Sequence, residues 1–188
     1  MIIVGLSGVA TAGKDEAATA LVNQLGFTVR GYAEALRIGI AGINPIIAVP
    51  PTGCLRYNDI IEQYGYNGGK AAFPEMRRLL QAYGTEGARN IFGADIWVKA
   101  LFLYAETAGI DRLVIPDVRF PNERTAIEDR QGLVFRITRP GLNPVNDHIS
   151  DNAIGDDEFH PSATITNNRE IQDLHKNIVR AVSAAFEI

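Results

Sequence analysis

Glycines at positions 8 and 13 followed by a lysine at 14 give the spacing G-x-x-x-x-G-K within GLSGVATAGKDEAATALVNQL, residues 5–25. Glycines so spaced let backbone N–H groups curl round a polyphosphate, and a lysine directly behind them reaches the phosphoryl group being transferred. The next residue is Asp15, where such loops ordinarily carry a Ser or Thr whose hydroxyl ligates Mg²⁺. A carboxylate there can hold or orient hydrated Mg²⁺, because hard cations favour carboxylate oxygens. The same charge would also suit the first turn of a helix. The segment Gly8, Val9, Ala10, Thr11, Ala12, Gly13, Lys14, Asp15 and Glu16 is therefore a candidate triphosphate site, with Lys14 as the catalytic cation and Asp15 as a metal ligand. Its plain structural alternative is a tight turn with an exposed lysine.

Such a loop works only between a strand and a helix, and both are present. IIVGLS (2–7) reads as a buried strand and DEAATALVNQL (15–25) as a helix stopped by Gly26. FTVRGY (27–32) reads as a second strand, followed by an irregular stretch to about 74. Helices are predicted at PEMRRLLQAYG (74–84) and DIWVKALFLYAETAG (95–109), with Pro74 in a first turn and Gly84 and Gly109 as stops. RLVIPDV (112–118) has the apolar run of a central parallel strand, PNERTAIEDRQG is a short helix, and LVFRITR (133–139) is another strand. PGLNPVNDHISDNAIGDDEFHPS (140–162) reads as a mobile loop, SATIT (162–166) as a last strand and REIQDLHKNIVRAVSAAF (169–186) as a closing amphipathic helix. Alternating strands and helices predict an α/β fold with a mostly parallel three-layer sheet.

Composition narrows the function classes. A chain of 188 residues with 46% hydrophobic content can bury a core as one domain or one domain with an inserted lobe. The net charge of -4 lacks the basic field of a sequence-independent nucleic-acid binder, so no direct nucleic-acid binding is expected. Cys54 stands alone, which excludes an internal disulfide and fits a reduced compartment. Met1 leads straight into IIVGLSG without a basic leader, and the apolar run at 38–51 is short and broken by Pro45, Pro50 and Pro51. The expectation is a cytoplasmic protein with no membrane partner.

Further blocks carry a resemblance. NPII (44–47), RYNDIIEQYGYNGGK (56–70), FPEMRRLLQAYGTEGARNIFGADIWV (73–98) and PDVRFPNE (116–123), together with the G-K-D loop, resemble in that order the deoxynucleoside monophosphate kinases of bacteriophages. The loop variant alone is shared with animal-type phosphomevalonate kinases. The resemblance covers about two-thirds of the sequence. It implies a P-loop NTPase fold of adenylate-kinase-like type, with a core at 1–32 and 110–188, a helical monophosphate-binding lobe at about 33–109 and a lid at about 139–162. It implies ATP and Mg²⁺ as cofactors and several deoxynucleoside monophosphates as acceptors, dAMP least, for viral DNA precursor supply in a host cytoplasm. A homodimer is compatible with it.

With a 5′-phosphate as acceptor no general base is required, because its second pKa of about 6 leaves the attacking oxygen largely ionised. Positioning and charge neutralisation remain, and these call for lysine, metal and arginines. Arg119 follows the strand IPDV and would grip the acceptor phosphate, Asp117 on the same strand end sits where an acid helps hold Mg²⁺, and Asn122 completes the cluster. A structural Asp117 to Arg119 ion pair is the bland alternative. Of Arg136 and Arg139, which flank the entry to the loop, Arg139 is chosen as the catalytic cation carried onto the phosphates. In the family-like block, Gln81, Thr85, Glu86 and Arg89 are candidate substrate-binding residues: a buried Gln81 or Thr85 could read a base edge and Arg89 or, earlier, Arg37 could hold the substrate phosphate, while Arg78 is a further candidate that with Arg77 could instead be a solvated helix face. Trp97 reads as core or as a base-stacking residue, and Asn167 in TITNN as an adenine neighbour or a helix cap. His148, His160 and His175 have no metal-site spacing. Phosphomevalonate and dephospho-coenzyme A kinases are the nearest alternatives, and the block at 73–98 argues against both. A nucleotide switch or motor is disfavoured by the missing N-K-x-D motif and by the lone acid after LVIP.

Overall fold

A computed structural model describes residues 1–51, 53–142 and 160–188. Most of the expected lid and His148 lie outside the described residues. In chain order the elements are β1 (Ile2–Ser7), α1 (Lys14–Leu25), β2 (Thr28–Val29), α2 (Ala33–Ile43), β3 (Ile46–Ala48), β4 (Leu55–Arg56), α3 (Tyr57–Ala72) and α4 (Pro74–Gln81). A π-helical segment (Ala82–Arg89) and a single turn α5 (Asn90–Phe92) follow, then α6 (Ile96–Thr107), β5 (Arg112–Ile115), α7 (Pro121–Glu128), β6 (Leu133–Thr138), β7 (Ala163–Thr166) and α8 (Ile171–Phe186). The chain divides into two compact units, one of residues Met1–Gly31 with Phe102–Ile188 and one of Tyr32–Leu101.

In the first unit five strands pair in the order β2-β5-β1-β6-β7, every pair parallel. The period of two in β1 sends Val4 and Leu6 into a core with Ala17 and Leu21 of α1 and Leu174, Ile178 and Val182 of α8. The opposite face meets α7, so close at Gly5 that a Cβ there would lie 2.7 Å from Ile127 Cδ1. Helices on both faces make this unit the three-layer α/β sheet that the alternation of elements predicts. Helix α1 opens on the left-handed Gly13 with Asp15 and Glu16 in its first turn, and it closes on the left-handed Gly26.

The second unit has its own core of Ile40, Ile47, Tyr57, Ile60, Met76 and Leu80. Here the sequence reading needs correction. The stretch taken as irregular contains α2, the antiparallel pair β3 and β4, and α3. Its helical signal is diluted because α3 bends at Gly65, which has φ 65° and ψ 172°, and carries Gly68 and Gly69 beyond the bend. The strand expected at 27–32 shrinks to Thr28–Val29. Gly84 does not stop its helix: it lies buried within the π-helical segment, which continues to Arg89. Among the described residues no helix is long and apolar enough to cross a membrane.

Candidate active site

The loop between β1 and α1 owes its path to backbone that only glycine supplies cheaply. Gly8 has φ 140°, and a Cβ on it would stand 2.2 Å from the Ile137 carbonyl oxygen of β6. Gly13 has φ 110°, and a Cβ there would stand 2.7 Å from Asn167 Nδ2. Between them Thr11 takes φ 64°, a left-handed geometry uncommon for a branched residue, while Ala12 is fully buried. The loop is closed across the sheet edge: Asn167 Nδ2 donates to the Ala12 carbonyl at 2.9 Å, and the Asn167 backbone N–H donates to Thr138 O at 2.7 Å. Asn167 thus clamps the loop to the end of β7, a role the Asn-rich sequence did not disclose.

Lys14 arches back over the loop, its Nζ donating to the carbonyls of Gly8 at 2.7 Å and Val9 at 2.8 Å. Its ammonium is therefore held against the loop backbone ahead of α1. Asp15 and Glu16 are exposed in that first turn. Glu16 Oε2 lies 3.2 Å from His175 Nε2 of α8, a contact between residues 159 apart that sequence spacing does not reveal. Beside the loop a pocket of about 400 Å³ is lined by Thr166, Asn167, Asn168, Arg169, Asp173 and Asn177 among others.

On the neighbouring strand, the turn after β5 carries Asp117, half-buried, and Arg119, exposed. Gly31 approaches the Asp117 carboxylate so closely that a Cβ would be 3.1 Å from Oδ1. The turn is held from below by Glu123, only 3% exposed, whose Oε2 accepts the backbone N–H of Arg119 at 2.8 Å and of Phe120 at 3.2 Å. Glu123 was not singled out in the sequence. Its signal was the proline two residues ahead of it, the mark of a helix start that wants a carboxylate at its third position. Arg136 pairs in register with Ser7 at the end of β1, and burial holds its guanidinium below the usual arginine range. The Ser7 hydroxyl is fully buried and has no hydrogen-bond partner among the described residues. Arg139, preferred from sequence, is exposed one residue past β6.

Within the second unit, Arg37 lies exposed on α2 with its Cζ 4.0 Å from the centroid of Tyr66, and Lys70 Nζ lies 4.7 Å from the same ring. Arg78 is spoken for on the surface of α4, where Nε and Nη2 donate to the two Glu75 carboxylate oxygens, each at 2.7 Å. That fork holds the Glu75 carboxyl below the usual range. Gln81, Thr85 and Glu86 are exposed, Arg89 is half-buried and Trp97 is buried. The loop residues and Asn167 thus gather in the first unit with Asp117 and Arg119 on the adjoining strand end, whereas Arg37, Arg78, Gln81, Thr85, Glu86, Arg89 and Trp97 belong to the second.

The donor chemistry fits a polyphosphate with a hard cation. Among the described residues no three His, Cys, Asp or Glu side chains gather to hold a metal by themselves. Asp15 and Asp117 carry the carboxylate oxygens that Mg²⁺ favours, and one or two of these would suffice where phosphate oxygens and waters complete its shell.

Residues 59–178 match the family described as deoxynucleotide monophosphate kinase. A putative deoxynucleotide monophosphate kinase of Acanthamoeba polyphaga mimivirus is 25% identical over the full length of both chains. The deoxynucleotide monophosphate kinase of Enterobacteria phage T4 is 31% identical over 55% of this chain, and the match spans only 43% of that longer protein. Among solved structures, shikimate kinase from Aquifex aeolicus superposes with a TM-score of 0.51 at 13% identity, over 97% of each chain, a likeness of fold alone.

Proposed function

This chain belongs to the deoxynucleotide monophosphate kinase family, and from that premise we propose that it transfers a phosphoryl group from ATP to deoxynucleoside 5′-monophosphates, in a Mg²⁺-dependent reaction. The observation that carries the reading is the loop at 8–13, whose two positive-φ glycines leave a cradle with Lys14 Nζ over it. Bound MgATP supplies the transferable phosphoryl group and much of the charge neutralisation. The chain's own residues do the rest. Backbone N–H groups of the loop and of the start of α1 hold the polyphosphate, and Lys14 exchanges its two carbonyl partners for phosphate oxygens. Asp15 and Asp117 would hold Mg²⁺, and the pocket beside Asn167 would take the adenine.

Arg119 neutralises charge during transfer, Arg37 and Arg89 bind the acceptor's phosphate, and Gln81, Thr85 and Glu86 face its base. Arg139 closes over the phosphates and helps exclude water, which would otherwise be phosphorylated in the acceptor's place. No proton must be removed, since the acceptor oxygen is largely ionised at neutral pH. The acceptors are dTMP, dGMP and dCMP ahead of dAMP, and the product serves viral DNA synthesis. The test is ADP release from MgATP with each deoxynucleotide, each matching ribonucleotide and phosphomevalonate. Turnover with one or more deoxynucleoside monophosphates is expected. ATP binding without turnover on any of them would overturn the proposal.

A further inference from the structure

The segment Ala82–Arg89 winds as a π-helix, a form rare in length and frequent at functional sites. It persists because its neighbours in the Tyr32–Leu101 unit hold it at Tyr83 and Gly84. Trp97 of α6, 9% exposed, donates its indole N–H to the Gly84 carbonyl at 3.0 Å. Its ring also packs on Tyr83, with centroids 5.9 Å apart and planes tilted by 52°. Helix α2 interlocks with the segment through two glycine contacts. Tyr83 presses on Gly39, where a Cβ would lie 2.5 Å from the phenol oxygen, and Leu36 presses on Gly84, where a Cβ would lie 3.0 Å from Cδ1. Arg37 sits between Leu36 and Gly39 on that same helix.

We infer that Trp97 is a positioning residue, which fixes the π-helical segment against α2 and thereby sets the places of Thr85, Glu86 and Arg89 relative to Arg37 for the acceptor nucleotide. The inference rests on the acceptor reading given above. Its physical basis is winding. An α-helix turns about 100° per residue, so a return of 82–89 to α-helical winding would rotate Thr85, Glu86 and Arg89 about the axis with respect to α4. The indole N–H opposes that return by hydrogen-bonding a carbonyl of the wide form, and Tyr83 on Gly39 ties the same turn to the helix that bears Arg37.

Trp97→Phe keeps the ring and removes the donor. The expected result is a rise of about tenfold in KM for the acceptor, the size of one lost neutral hydrogen bond, with KM for ATP unchanged. Gly39→Ala attacks the same contact from α2 by displacing Tyr83, and it should show the same split if Trp97→Phe does not fold. Trp97 is also the single tryptophan, so its emission in the unmodified protein should shift on titration with dTMP or dGMP and stay unmoved by a non-hydrolysable ATP analogue. Unchanged acceptor KM in the variants, equal changes in both KM values, or an emission change with the ATP analogue alone would overturn the inference. A wild-type protein that turns over no deoxynucleoside monophosphate would instead overturn the kinase reading, and the inference with it.

Discussion

Asp15 replaces a neutral hydroxyl with a charged carboxylate at the second residue of α1, and two substitutions separate metal binding from helix electrostatics. Asp15→Ser restores a hydroxyl ligand and should keep partial turnover. Asp15→Ala removes both ligand and charge and should lower kcat more than the serine variant does, with little change in thermal stability. If both equal wild type in steady-state assays across Mg²⁺ concentrations, the carboxylate serves only the helix terminus, a surface effect of roughly 0.3–1 kcal/mol. Lys14 leads to a stronger expectation. Lys14→Ala removes two hydrogen bonds confined to the loop, so circular dichroism should show the secondary structure kept while kcat falls by about 10²–10³-fold or more, as when one aimed electrostatic donor is removed.

At the scale of elements, the turn after β5 depends on a buried carboxylate. Glu123→Ala would leave the N–H groups of Arg119 and Phe120 without their acceptor, and denaturant unfolding should show a loss of about 1–3 kcal/mol. Glu123→Gln keeps a carbonyl oxygen in place and should lose less. In α3, burial of the Tyr57 hydroxyl raises its pKa, with Tyr66 adding to the rise and Arg37 opposing it. The folded state then keeps its proton to higher pH than the unfolded chain does. The stabilising contribution is complete below the unfolded value of about 10 and is lost as pH rises through the folded one. Tyr57→Phe should therefore flatten the decline of the urea midpoint above about pH 10 relative to wild type.

The same elements show what the sequence could and could not disclose. The loop at 8–15 was legible because its glycines answer a local demand, and β5, β6 and α8 because apolar periodicity continues unbroken through them. The segment 33–73 was not, since glycines at 65, 68 and 69 blur the helical pattern of α3 and β4 contributes only two residues. Gly84 read as a stop because glycine commonly ends helices. It is there instead to admit Leu36, a contact between residues 48 apart that no local pattern records. For the candidate site, the strand-to-helix loop and the turn after β5 were legible as local patterns. The clamps behind them, Asn167 on Ala12, Glu123 under Arg119 and Trp97 on Gly84, arise only from the packing.

For the whole molecule the division into two units has an energetic consequence. Each unit owns a core, with Val4, Leu6, Leu21, Leu174 and Ile178 in one and Ile40, Ile60, Met76 and Leu80 in the other. Local opening in a folded protein follows such cooperative units, and a ligand protects the amides whose opening its binding opposes. Native-state hydrogen exchange should therefore separate the two substrates. A non-hydrolysable ATP analogue with Mg²⁺ should slow exchange in the loop at 8–13, the first turn of α1 and the end of β7, all in the Met1–Gly31 and Phe102–Ile188 unit. A deoxynucleoside monophosphate should slow exchange in α2 and across 82–89, in the Tyr32–Leu101 unit. At a ligand concentration of 100 Kd the linked stabilisation is about 2.7 kcal/mol, enough to slow the affected amides by roughly 100-fold. Protection of 82–89 by the ATP analogue alone would exchange the assignments of the two units. Protection by the acceptor confined to the loop at 8–13 would overturn the proposed roles of Arg37 and Arg89.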